Sequence, residues 1–193
     1  MPDTRCFRIV EQDLDELRDR TQYQAFIDAY SNWIRNFAPR LDEVIAQISA
    51  AFADTKLGEG IGLFEANGLD DYESDEELRR LRGLDEKLDW KRISADDLSQ
   101  CYCSPSFFDR QGFVFHLPAF LIAQLNDEHS YGFIDRLYRT EEHPEGWRTL
   151  LTSEQRKAII ATLELIREHP EYQPELDDID AAVERYKGAP RMG

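Results

Sequence analysis

Along most of the chain the apolar residues return every three or four positions, the spacing of helices with one buried face. Tyr23, Phe26, Ile27, Tyr30, Ile34 and Phe37 mark such a face over residues 21–37. Pro39 is expected to end that helix, because it lacks the amide the next turn needs. A second helix is predicted over residues 40–53, with Leu41, Val44, Ile45, Ile48 and Phe52 inward. So short a link makes the two an N-terminal helical hairpin over residues 1–57. Gly58, Gly60 and Gly62 then break the pattern, and residues 61–72 read as a short third helix carrying Ile61, Phe64 and Leu69 inward. Ser74 with Glu77 has capping-box spacing ahead of Leu78, Leu81 and Leu84, with Gly83 limiting that helix, and Ser94 is a further candidate cap.

The pattern changes at residues 106–120, where aromatic residues run together. Phe107 and Phe108 precede Arg110-Gln111-Gly112, and Phe113-Val114-Phe115-His116 follow. Two aromatic segments around a short link, with a glycine able to supply a left-handed residue, predict a small β-hairpin. Pro118 suits the first turn of a helix, so the chain is expected to pass from the second strand into a helix ending near Leu125. Phe133, Ile134, Leu137 and Tyr138 mark another short helix. Thr152 with Gln155 caps one bearing Ile159, Ile160, Leu163 and Ile166, closed by His169-Pro170. Leu176, Ile179, Val183 and Tyr186 mark the last, stopped by Gly188 and Pro190. The fold class expected is mainly α, with about seven helices around one short β-hairpin in a single domain. Phe107, Phe108, Phe113, Phe115, Leu117, Phe120 and Leu121 are expected near its centre.

Composition changes the picture through charge. Of 193 residues 41% are hydrophobic, enough for one core, and 32% are charged, with a formal net charge of -16. That balance disfavours nucleic acid and anionic membranes, which are bound through basic patches, and favours a basic protein as partner. No apolar run approaches the roughly 20 residues that span a bilayer. Residues 1–8 lack the pattern of a secretory signal, and three cysteines, Cys6, Cys101 and Cys103, make no disulfide framework. A cytoplasmic protein with free thiols is expected.

Candidate chemistry is sparse. Asp70, Asp71, Glu73, Asp75, Glu76 and Glu77 put six carboxylates into eight residues. They lack the alternating ligands and central glycine of a calcium loop, so the choice lies between a solvated acidic edge and a contact surface for a basic partner. His116 could act as a general base near Asp109 and Glu65 if the hairpin brought its ends together; the plainer reading is a histidine hydrogen-bonded at a strand-to-helix junction. His129, His143 and His169 read as surface residues. Cys101 and Cys103 would face one side of an extended segment, but no second pair stands at zinc-ligand spacing. Gly58, Gly60 and Gly62 are followed by no Gly-Lys-Ser/Thr, so they are not a phosphate loop. No catalytic residue, metal or cofactor is assigned, and a non-enzymatic protein is favoured over an enzyme. Tyr72, Trp90, Tyr102 and Trp147 are either interface anchors or core, and burial separates the two.

Gly60-Ile-Gly-Leu-Phe-Glu-Ala-Asn-Gly-Leu-Asp-Asp-Tyr72, Trp90 and Ser106-Phe-Phe-Asp-Arg-Gln-Gly-Phe-Val-Phe-His-Leu-Pro-Ala-Phe120 carry a resemblance. The chain resembles a family of uncharacterised bacterial proteins classed only as a domain of unknown function. The likeness covers residues 58–166, which sets a family-like core apart from the hairpin before it and the C-terminal helix and tail, residues 167–193. It implies a bacterial origin and one folded unit, and no activity or site residue.

Overall fold

The computed structural model describes residues 20–128, 132–139 and 144–188. Residues 1–8 with Cys6, His129, His143, Pro190, and the side chains of Tyr23, Phe26, Ile27, Tyr30 and Ile34 lie outside what is described. Among the described residues there are eight α-helices and no β-strand. They are α1 (Arg20–Ala51), α2 (Leu63–Asp70), α3 (Asp75–Arg82), α4 (Ala95–Gln100), α5 (Arg110–Leu125), α6 (Asp135–Tyr138), α7 (Ser153–Ile166) and α8 (Leu176–Lys187). No described helix is long and apolar enough to cross a membrane.

The mainly helical expectation holds, and the β-hairpin does not. The aromatic run belongs to α5, a single helix with Asp109 at its N-cap, where Oδ1 accepts the Gly112 amide at 2.7 Å. Gly112 is therefore a first-turn residue, not the left-handed corner of a hairpin. Of the sixteen residues of α5 only Arg110, Gln111, Ile122 and Gln124 are not buried, so the helix has almost no polar face. A run apolar on every side has no helical period to read, and it imitates a buried strand. Pro118 lies in the middle of α5 rather than at a start. Its missing amide costs the helix one bond, which the burial of Phe113, Phe115 and Phe120, about 1.5–3 kcal/mol each, outweighs.

The N-terminal hairpin is likewise replaced by one helix, because α1 passes through Pro39 without a break. Pro39 is on the exposed side, where solvent can take over the hydrogen bond it cannot make. Phe37, Leu41, Val44, Ile48 and Phe52 form one buried stripe that keeps its phase across the proline. In α2 the buried residues are Leu63, Ala66 and Gly68, whereas Ile61, Phe64 and Leu69 are half-buried, so the expected inward face is displaced. Leu84, expected beside Leu78 and Leu81, falls beyond the end of α3 and is exposed.

Helix α1 packs along α7, α7 along α8, and α6 against α8, while α5 lies between α1 and α4. Phe113 and Phe120 of α5 meet Phe133 at ring distances of 5.4 and 4.5 Å, and Trp147 covers Phe113 at 4.7 Å. Trp90 and Trp147 are thus core residues, not surface anchors. The caps read from sequence form as expected: Ser74 accepts from Glu77, Ser94 from Asp97, and Thr152 and Gln155 bond reciprocally.

Candidate functional site

Glu65, Asp109 and His116 do not converge. Glu65, on the first turn of α2, is held by Arg82 at 3.0 Å. Asp109 uses its Oδ1 on two amides, those of Gly112 and Ile61, and so ties the residue 57–61 loop to the start of α5. His116 is buried one turn further on, its Nδ1 2.7 Å from the Gly112 carbonyl. Asp109 and His116 therefore bond opposite ends of one residue and not each other. No hydrogen bond links these three residues into the alternative acid–base grouping, although the Asp109 charge opposes the lowering of the His116 pKa.

A carbonyl only accepts, so His116 carries its proton on Nδ1 and leaves Nε2 as a bare acceptor. Burial keeps the ring neutral, lowering its pKa to about 4, and Phe108 stacks on it at 4.5 Å. The ring borders a cleft of ≈ 210 Å³ between the start of α2 and α4, which Asp85, Glu86, Asp97 and Arg92 also line. None of those four was singled out from sequence. Asp85 caps α2 from twenty residues away, taking the Phe64 amide on Oδ1 at 2.7 Å and the Glu65 amide on Oδ2 at 3.3 Å. Burial raises its pKa, against the two amides that lower it. A cap this distant leaves no local trace; Asp97, three residues after Ser94, does leave one in the capping pattern.

Asp85→Ala should strand both α2 amides and cost about 1–2 kcal/mol, whereas Asp85→Asn, which keeps an acceptor and avoids a buried charge, should cost less. Urea midpoints of the two variants measure the difference.

The acidic turn occupies the other end of α2. The Tyr72 amide bonds the Leu69 carbonyl and the Glu73 amide bonds Gly68, a Schellman end in which Tyr72 takes the left-handed position at φ 56°. Glycine is the usual residue there; Tyr72 instead stands 95% exposed. Asp71 accepts from Asn67 and Glu77 pairs with Arg80, whose hydrogen bond lowers the Glu77 pKa. Asp70, Glu73, Asp75 and Glu76 make no ion pair among the described residues.

Cys101 and Cys103 do not share one side of an extended segment. Cys101 is buried at the end of α4, where burial pushes its thiol up to about 11, and Cys103 lies in a turn, not an extended segment. Among the described residues no three His, Cys, Asp or Glu side chains are grouped to hold a metal ion. His169 is buried rather than on the surface.

Residues 40–188, which include the acidic turn, the cleft and all of α2 to α8, match the family of unknown function DUF6714. The chain belongs to DUF6714. No curated protein and no solved structure matches it. The DUF6714 region starts just past Pro39 and takes in residues 40–51 of α1 and all of α8, so it extends beyond the residue 58–166 core on both sides.

Proposed function

We propose that this DUF6714 protein is a non-enzymatic binding protein, of an immunity-type or regulatory kind, that presents its acidic turn to a more basic protein. Tyr72 is the observation that carries this reading. A fully exposed aromatic side chain is held in a backbone conformation that disfavours it, at a helix end where glycine would sit without strain. Tyrosine is a frequent energetic anchor of protein interfaces, and the unpaired carboxylates beside it would steer a basic surface toward it. The formal charge of -16 acts in the same direction over longer range.

Tyr72→Gly should raise stability by about 0.5–1 kcal/mol, after the extra chain entropy glycine loses on folding. The same substitution should abolish partner binding. Tagged protein, Tyr72→Gly, and a variant with all six acidic residues of the turn made neutral would be used to capture partners at low and high salt. The expected result is a basic protein held by the parent at low salt, weakened by salt and lost by both variants. Recovery of the same proteins by all three forms would overturn the proposal.

A further inference from the structure

The cleft beside His116 lies at the opposite end of α2 from the acidic turn and has its own chemistry. Its innermost polar group is the imidazole of His116, 1% exposed. Among the described residues Nε2 makes no hydrogen bond, yet it is not sealed from solvent, so it opens on the cleft. A buried acceptor of this kind accepts a hydrogen bond from whatever enters.

Three carboxylates and one guanidinium line the same cleft. Asp85 spends one lone pair of each oxygen on the α2 amides. Asp97 accepts from the Ser94 hydroxyl through Oδ2, leaving Oδ1 uncommitted. Glu86 takes three backbone amides on Oε1 and meets Arg92 through Oε2 at 3.2 Å. The Arg92 side chain is 72% exposed, at the mouth rather than the floor. Three anions line the cleft against Arg92, and Lys87 acts on Asp85 from beside it, so the balance is still negative. Leu63, Phe64, Leu84 and Ile93 supply apolar wall between the charges.

We propose that this cleft binds a small organic cation with N–H donors and a short apolar body, a primary alkylammonium, which donates to His116 Nε2 and lies against Asp85 and Asp97. The N–H is required because Nε2 can only accept, and the charge because the carboxylates outnumber Arg92. The apolar body is required by the walls, and the size follows from a cleft of ≈ 210 Å³, space for about seven water-sized groups. The raised pKa of Asp85 fits the same picture, since an ammonium beside a desolvated carboxylate lowers the cost of its charge.

The test titrates the full chain at pH 7 with n-butylamine, and separately with 1-butanol and tetramethylammonium, following the nitrogen signal of His116 Nε2 and the methyl signals of Leu63 and Ile93 by NMR. Butylammonium should shift all three saturably, and at lower concentration than either control. Asp97→Asn, a half-buried position where the fold tolerates an amide, should weaken binding by about threefold or more. His116→Phe should keep the stack on Phe108 and abolish binding, read on the methyl signals; if that variant does not fold, Asp97→Asn carries the test. No saturable shift, equal binding of butanol, or equal binding of tetramethylammonium would each overturn the proposal, the last two by showing that the N–H and the charge are not both used.

Discussion

Gly112→Ala should cost about 3 kcal/mol of stability. A Cβ at Gly112 would stand 2.2 Å from the Ile61 carbonyl oxygen and 3.2 Å from its carbon. Both are backbone atoms, and Asp109 pins them by accepting the Ile61 amide. Relief therefore means moving the residue 57–61 loop away from the start of α5, with the loss of that bond and of the cap at Gly112 itself. Gly68→Ala is the control. Its Cβ would meet Leu81 Cδ1 at 2.5 Å and Leu78 Cδ2 at 2.9 Å, the far ends of two side chains that can turn aside. Alanine is also the better helix former, so this variant should stay within about 1 kcal/mol of the parent. Chemical denaturation of both variants decides the matter: equal stability would mean that the loop and α5 are not in backbone contact.

Acid should destabilise the protein well above the range where carboxylates titrate. His116 and His169 are both buried, and burial lowers each pKa from 6.5 to about 4. Between those values the unfolded chain takes up protons that the folded chain refuses, so stability is complete above about pH 6.5 and falls as pH drops toward 4. The gap is worth up to about 3 kcal/mol for a fully buried imidazole such as His116. Asp85 has the opposite sign: its folded pKa is raised, so protonation favours the folded form and offsets part of the loss at the acid end. Melting temperatures from pH 7.5 to 4 should show the fall in the parent and a much flatter profile in His116→Gln/His169→Gln. A parent whose stability first declines below pH 4 would place both imidazoles in contact with water.

How much of this was legible beforehand can be argued from single elements. The starts of α3 and α4 and the reciprocal cap of α7 follow from residues three apart, because a helix N-terminus is satisfied within its own first turn. The acidic turn was equally plain, since six like charges in eight residues need no partner to be noticed. The strain on Tyr72 was not, because only the hydrogen bonds to Leu69 and Gly68 identify its position as the left-handed one. In α1 the apolar stripe kept its phase across Pro39, from Phe37 to Leu41, a signal that a rule for proline alone overrides. In α5 the two local cues, an Asp109 cap and a mid-run proline, pointed in opposite directions, and neighbours on every side decided between them.

The sequence by itself determined a mainly helical chain, strongly acidic, with most of its caps and its core aromatics, because helical period, capping and charge are local properties of side chains. Only the tertiary structure decided that the aromatic run is a helix, that Asp109 and His116 both serve Gly112, and that Asp85 reaches α2. It also decided that His116, Asp85 and Asp97 line one cleft. Asp85 with α2, and His116 with Asp97, are groups far apart in the chain whose approach is set by packing around α5, and no spacing along the sequence encodes such a distance.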